Sequence, residues 1–115
     1  MKRKLGLEGE NIAARYLQSK GYRILERNYY TRYGELDIIC EKEKKLVFVE
    51  VKTRRSTIFG FPEEAITRAK MNHMRKAAVI YLNGLDSYKE IRFDVVTILL
   101  DANNRANINH IEQAF

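Results

Sequence analysis

Glu50 and Lys52 stand two residues apart in the run Leu46-Val47-Phe48-Val49-Glu50-Val51-Lys52, whose β-branched and aromatic content marks a strand. Side chains alternate along a strand. Both charges therefore share one face, roughly 7 Å apart, with Leu46 and Phe48, while Val47, Val49 and Val51 face the other way. Burying charges among large apolar residues is unfavourable unless each is paired or binds a metal. Asp37 poses the same problem in the run Leu36-Asp37-Ile38-Ile39-Cys40, and a hairpin through residues 41–45 brings it near Glu50. Two converging carboxylates make a hard oxygen site, of the kind magnesium takes while keeping several waters. A lysine beside them can hold an attacking water and stabilise phosphate charge. This set suits phosphodiester hydrolysis. The spacing fits equally an exposed cross-strand ion pair on a half-wet sheet. Glu43-Lys44-Lys45 repeats the Glu-x-Lys pattern, but in a charged connector with no apolar neighbours.

The elements that must position these residues can be read in outline. Ile12, Ala13, Tyr16 and Leu17 recur at helical spacing and predict a helix over residues 7–20, stopped by Gly21. Tyr22 to Tyr30, Leu36 to Glu41 and Leu46 to Lys52 predict three strands in an antiparallel meander, with a turn at Thr31 to Gly34. Thr53 to Phe61 reads as an exposed loop. Pro62 is expected to open a second helix with Glu63 and Glu64 in its first turn. Ile66, Ala69, Met74, Ala77 and Tyr81 would mark its buried side, and Asn83-Gly84 its end. Ile91 to Leu100 is a further strand, with a short last one expected over Ile108 to Phe115. The order α-β-β-β-α-β predicts one α/β domain over residues 1–115, with a mixed central sheet flanked by helices.

Composition agrees with this reading. The chain has 115 residues, 45% hydrophobic and 31% charged, too apolar for a disordered chain and long enough for one core. The single cysteine, Cys40, excludes an internal disulfide or a multi-cysteine zinc site and suits a reducing cytoplasm. Glu8 and Glu10 interrupt any secretory h-region after Met1-Lys2-Arg3-Lys4. The longest apolar run, Val95 to Leu100, is far below the ~20 residues that span a bilayer. A cytoplasmic protein without a membrane partner is expected. The net charge of +6 makes nucleic acid a natural partner.

Asp37 followed by Glu50-Val51-Lys52, on strands after a first helix, resembles the PD-(D/E)XK nuclease superfamily. More closely, the chain resembles the YraN-like uncharacterised family. The resemblance runs through Gly9-Glu10-x-x-Ala13, Leu17-x-x-x-Gly21-Tyr22, Asn28, Gly34-Glu35-Leu36-Asp37-Ile38-Ile39, Phe48 to Arg54, Ile66-Thr67-x-x-Lys70 and Arg92 to Val96. It implies a restriction-endonuclease-like core, similar to archaeal Holliday-junction resolvases. It implies Asp37 and Glu50 as magnesium ligands, with manganese able to substitute, and Lys52 as the catalytic lysine. Leu36 stands where the superfamily's name has proline. The function it implies is metal-dependent hydrolysis of DNA, with branched or damaged DNA among the substrates, and resolvase-like relatives suggest a homodimer. Two other readings stay open: a nucleic-acid-binding module without catalysis, and a protein-interaction protein on the same fold.

Around this core, Glu10 lies on the inward face of the first helix with Ala13, Ala14 and Leu17. In the nuclease reading it is a further acid reaching the metal site; otherwise it is a first-turn glutamate favoured by the helix dipole. Glu8 is rotated away. Glu35 is either a supporting acid or a turn residue. Lys70 either binds substrate phosphate or snorkels at the surface. Arg54 and Arg55 could clamp a phosphate. Arg68, Asn72, Arg75 and Lys76 form an outer helix face that could track a phosphate backbone or be merely solvated. Tyr29, Tyr30, Arg32 and Tyr33 interleave rings and charges, for stacking on unpaired bases or for packing. His73 and His110 read as structural, and Asp94 as the partner of Arg92 or another basic group.

Overall fold

The computed structural model describes residues 4–55, 66–84 and 87–115. The elements are α1 (Lys4–Ser19), β1 (Arg23–Thr31), β2 (Gly34–Lys42), β3 (Lys45–Arg54), α2 (Arg68–Leu82), β4 (Glu90–Leu100) and β5 (Ala106–Ile111). They form one five-stranded sheet in the order β1-β2-β3-β4-β5. β3 and β4 are parallel and the other pairs antiparallel, so the sheet is mixed. A parallel pair needs a crossover, and α2 lies within it.

α1 closes at Gly21, whose φ of 93° suits glycine, and the Tyr22 N–H donates back to the Leu17 carbonyl at 3.0 Å. The β2–β3 connection is tighter than its charge run suggests. Glu41, Lys42 and Lys45 belong to the strands, and only Glu43 and Lys44 turn the chain, both at positive φ as a two-residue hairpin requires.

The two sides of the sheet carry separate cores. Ala13, Ala14 and Leu17 of α1 pack with Ile38, Cys40, Val47 and Val49. Met74, Ala77 and Ala78 of α2 pack with Leu36, Ile39, Leu46 and Phe48. The central strands are covered on both faces and so read as near-continuous apolar runs. Burial pushes the Cys40 thiol up to about 12, leaving it an inert core residue.

Three expectations need correction. β3 continues through Thr53 and Arg54, and Thr53 is buried rather than part of an exposed loop. α2 is capped at Thr67, whose hydroxyl accepts from the Lys70 N–H, so Ile66 precedes the helix. Ala69 is exposed, because the helix starting at Arg68 turns its stripe toward Met74, Ala77 and Ala78. Pro62, Glu63 and Glu64 lie outside the described residues.

Candidate active site

The β2–β3 ladder runs from Lys42↔Lys45 to Ile38↔Val49 and stops there. One step beyond, the Val51 N–H donates to Asp37 Oδ2 at 2.9 Å. A side-chain carboxylate thus replaces the neighbouring strand's carbonyl, and the two strands fork. Alternation breaks at the same place: Ile38 packs on the α1 side, whereas Leu36, two residues away, packs on the α2 side. On the other flank of β2, the ladder to β1 records Arg27↔Ile38 and Tyr29↔Leu36, and Asn28 between them has φ 54°. Asp37 sits in this wedge.

Glu10 reaches the fork from α1. It is 1% exposed, and its carboxylate lies 3.2 Å from the Arg27 guanidinium, which also donates to Asn11 at 2.8 Å. Gly9 makes the approach possible, because a methyl group in its place would overlap the side chain of Thr53. One carboxylate oxygen from each of Glu10, Glu35 and Asp37 lies within 4.8 Å of the others.

Glu50 lies on the α2 side with Leu46 and Phe48, as alternation demands. Its carboxylate meets Lys52 at 3.5 Å through one oxygen and Lys70 of α2 at 3.5 Å through the other. Burial, reinforced by the charge of Asp37, pushes Glu50 up to about 7, against the opposing pull of Lys70 and Lys52. Asp37 is therefore shared between an acidic group on one side and a carboxylate with two lysines on the other.

Glu10, Asp37, Glu50, Lys52, Arg54 and Lys70 all line one cleft of about 450 Å³, and Glu35 lines it with them. Arg55 turns away to Asn104 at 2.7 Å and Glu8 at 3.3 Å. Sequence reasoning left Glu35 undecided between a supporting acid and a turn residue, and missed Arg27. The signal for Glu35 was its two-residue spacing from Asp37; none pointed to Arg27.

The uncharacterised protein family UPF0102 matches this chain over residues 9–98, a span that holds all seven cleft residues named above. The chain belongs to that family. It is 58% identical over 116 residues to a UPF0102 protein of Syntrophomonas wolfei, covering all of both chains. A UPF0102 protein of Nocardia farcinica is 44% identical, with 99% of this chain and 91% of that one covered. One from Bifidobacterium longum is 48% identical, with 98% and 94% covered. Family membership, like the YraN-like resemblance, describes a shared chain and attaches no activity to it. No helix among the described residues is long and apolar enough to cross a membrane.

Proposed function

We propose that this protein is a metal-dependent endonuclease of the PD-(D/E)XK type, hydrolysing phosphodiester bonds in DNA, including branched or damaged DNA. The observation that carries the reading is convergence: the acids Glu10, Glu35, Asp37 and Glu50 and the cations Lys52, Arg54 and Lys70 open onto one cleft. The mixed sheet with a helix on each face supports a restriction-endonuclease-like core.

The donor set fits a hard divalent cation. Three carboxylate oxygens lie within 4.8 Å of one another, and the oxygen-only set suits magnesium or manganese. Asp37, Glu10, Glu35 and Glu50 would hold it. When bound, such an ion polarises a phosphoryl oxygen and lowers the pKa of its water. Lys52, on the Glu50 face, positions the attacking water against the scissile phosphate. Lys70 and Arg54 bind the phosphate, drawing substrate to a cleft that its own acids would otherwise make repulsive. The buried walls around Glu50 strengthen each of these charge interactions.

Cleavage of linear, branched and single-stranded DNA with magnesium or manganese tests this reading. Asp37→Asn and Lys52→Ala should each lower the rate by about a hundredfold or more while leaving the fold intact. Equal activity in wild type and both variants would sink the mechanism.

A further inference from the structure

Two cations from different elements meet on one ring. The Arg32 guanidinium lies over the Tyr33 ring at 5.0 Å, and its Nη2 donates to the Tyr33 hydroxyl at 3.1 Å. Lys76, from α2, approaches the same ring at 5.4 Å. Both cations are exposed, and among the described residues neither pairs with a carboxylate. A ring face holds a cation in place while leaving its outward N–H donors for another partner. Gathering like charges is unfavourable by itself and becomes favourable beside an anion.

The cluster adjoins the cleft by two routes. The turn that carries Arg32 and Tyr33 is pinned by Thr31, whose hydroxyl donates to the Gly34 carbonyl at 2.9 Å and accepts from the Tyr33 N–H at 3.1 Å. Tyr33 precedes Glu35, a cleft residue, by two positions, at most ~7 Å of chain. On α2, Lys76 follows Lys70, another cleft residue, by six positions, or ~9 Å along the helix axis. His73 stands exposed midway, so Lys70, His73 and Lys76 form one i, i+3, i+6 row on the helix surface. The row starts in the cleft and ends at the Tyr33 ring.

We propose that this row and the Tyr33 cluster form a track for the phosphate backbone of DNA, continuing from the cleft. The protein then selects its substrate by a run of phosphates beside the scissile one, not by base sequence. The inference rests on the DNA-nuclease reading and adds the path of the strand. A strand rises ~3.4 Å per nucleotide, so about three nucleotides lead from Lys70 to Lys76. Phosphate contacts fix the register of a strand and carry no sequence information.

The test is binding of a fluorescent DNA duplex in EDTA, followed by anisotropy over a potassium chloride series. Arg32→Ala/Lys76→Ala removes both cations, and Tyr33→Leu keeps the charge but removes the ring. Lys20→Ala/Lys89→Ala is the matched control, because these exposed lysines stand beside Lys42 and Lys44 at the far, hairpin end of the sheet. Each phosphate contact contributes ~0.9 to the slope of log affinity against log salt. Arg32→Ala/Lys76→Ala should flatten the slope by about two and weaken low-salt binding about tenfold or more. Tyr33→Leu should flatten it by about one, and the control by less than ~0.5. An unchanged slope in Arg32→Ala/Lys76→Ala or in Tyr33→Leu, or an equal loss in the control, would overturn the track even if wild type cuts DNA. The expected slopes in a wild type that cuts no DNA with magnesium or manganese would instead overturn the nuclease reading and leave the track standing. A wild type without salt-sensitive binding overturns both.

Discussion

Asp94 on β4 and Glu50 on β3 are almost equally buried, at 0% and 2% exposure, on neighbouring strands of one sheet. Their surroundings differ. Asp94 accepts two bonds from Arg92, at 2.8 and 2.9 Å, and one from the Gln113 N–H at 3.0 Å, with His110 Nε2 at 2.7 Å. Arg92 also donates to the Tyr22 hydroxyl at 2.6 Å, and Tyr16 meets the other His110 nitrogen at 3.2 Å. Burial alone would raise the Asp94 carboxyl. The hydrogen bonds from His110, Arg92 and Gln113 outweigh it and hold the group below its ordinary value. Glu50 has two lysines at 3.5 Å, each about one-third exposed, and sits near a second carboxylate, so its shift runs upward. A buried carboxylate therefore does not by itself mark a site. The enclosed one is structural, pinning β5 and the following turn onto β4, and the incompletely paired one faces a cleft.

The sharpest way to break this comparison is to remove the satisfied acid. Asp94→Ala leaves Arg92 buried without its main partner and should destabilise the fold by ~3–5 kcal/mol in urea unfolding. A loss below ~1 kcal/mol would mean that the network contributes little.

The two acids should also show opposite pH signatures. Asp94's folded value is lowered, so its stabilisation is present above its ordinary value near 3.8 and fades as pH falls through the folded value. Glu50's folded value is raised from 4.5 to about 7, so metal-free protein should lose stability as pH rises through that window, by up to ~3 kcal/mol. Glu50→Gln, measured in EDTA, should flatten that slope. Parallel curves for wild type and variant would remove Glu50 from the account.

A smaller effect concerns how α1 reaches the fork. Gly9→Ala should lower stability by ~1–3 kcal/mol through overlap with Thr53, and Thr53→Ala should restore part of it. Additive losses in the double variant would contradict the contact. Least of all, Arg55→Ala should change unfolding by under ~1 kcal/mol, because its partner Glu8 is, like Arg55 itself, substantially exposed.

Much of the site was legible because it rests on local periodicity. The two-residue period of a strand put Glu50 and Lys52 on the Phe48 face, and the helical stripe of Ala13 and Leu17 turned Glu10 inward. The start of α2 was less legible. Proline and acidic residues are good openers anywhere, whereas the described helix follows the cap made by Thr67, which depends on one hydroxyl's local bond. Arg27 gave no signal because its partners, Glu10 and Asn11, lie on another element.

The amino-acid order by itself determined the outline of the strands, the β2–β3 hairpin and the strand face of Glu50 and Lys52, since these depend on neighbours a few residues away. Only the tertiary structure decided that β2 and β3 fork at Val49, that Asp37 takes the Val51 amide, and that Glu35 joins Glu10 beside it. It alone brought Lys70 to Glu50, and enclosed Asp94 while leaving Glu50 open to a cleft. The physical reason is range. Alternation is written into each strand, whereas satisfying a buried charge depends on which distant donors the packed helices and the last strand deliver.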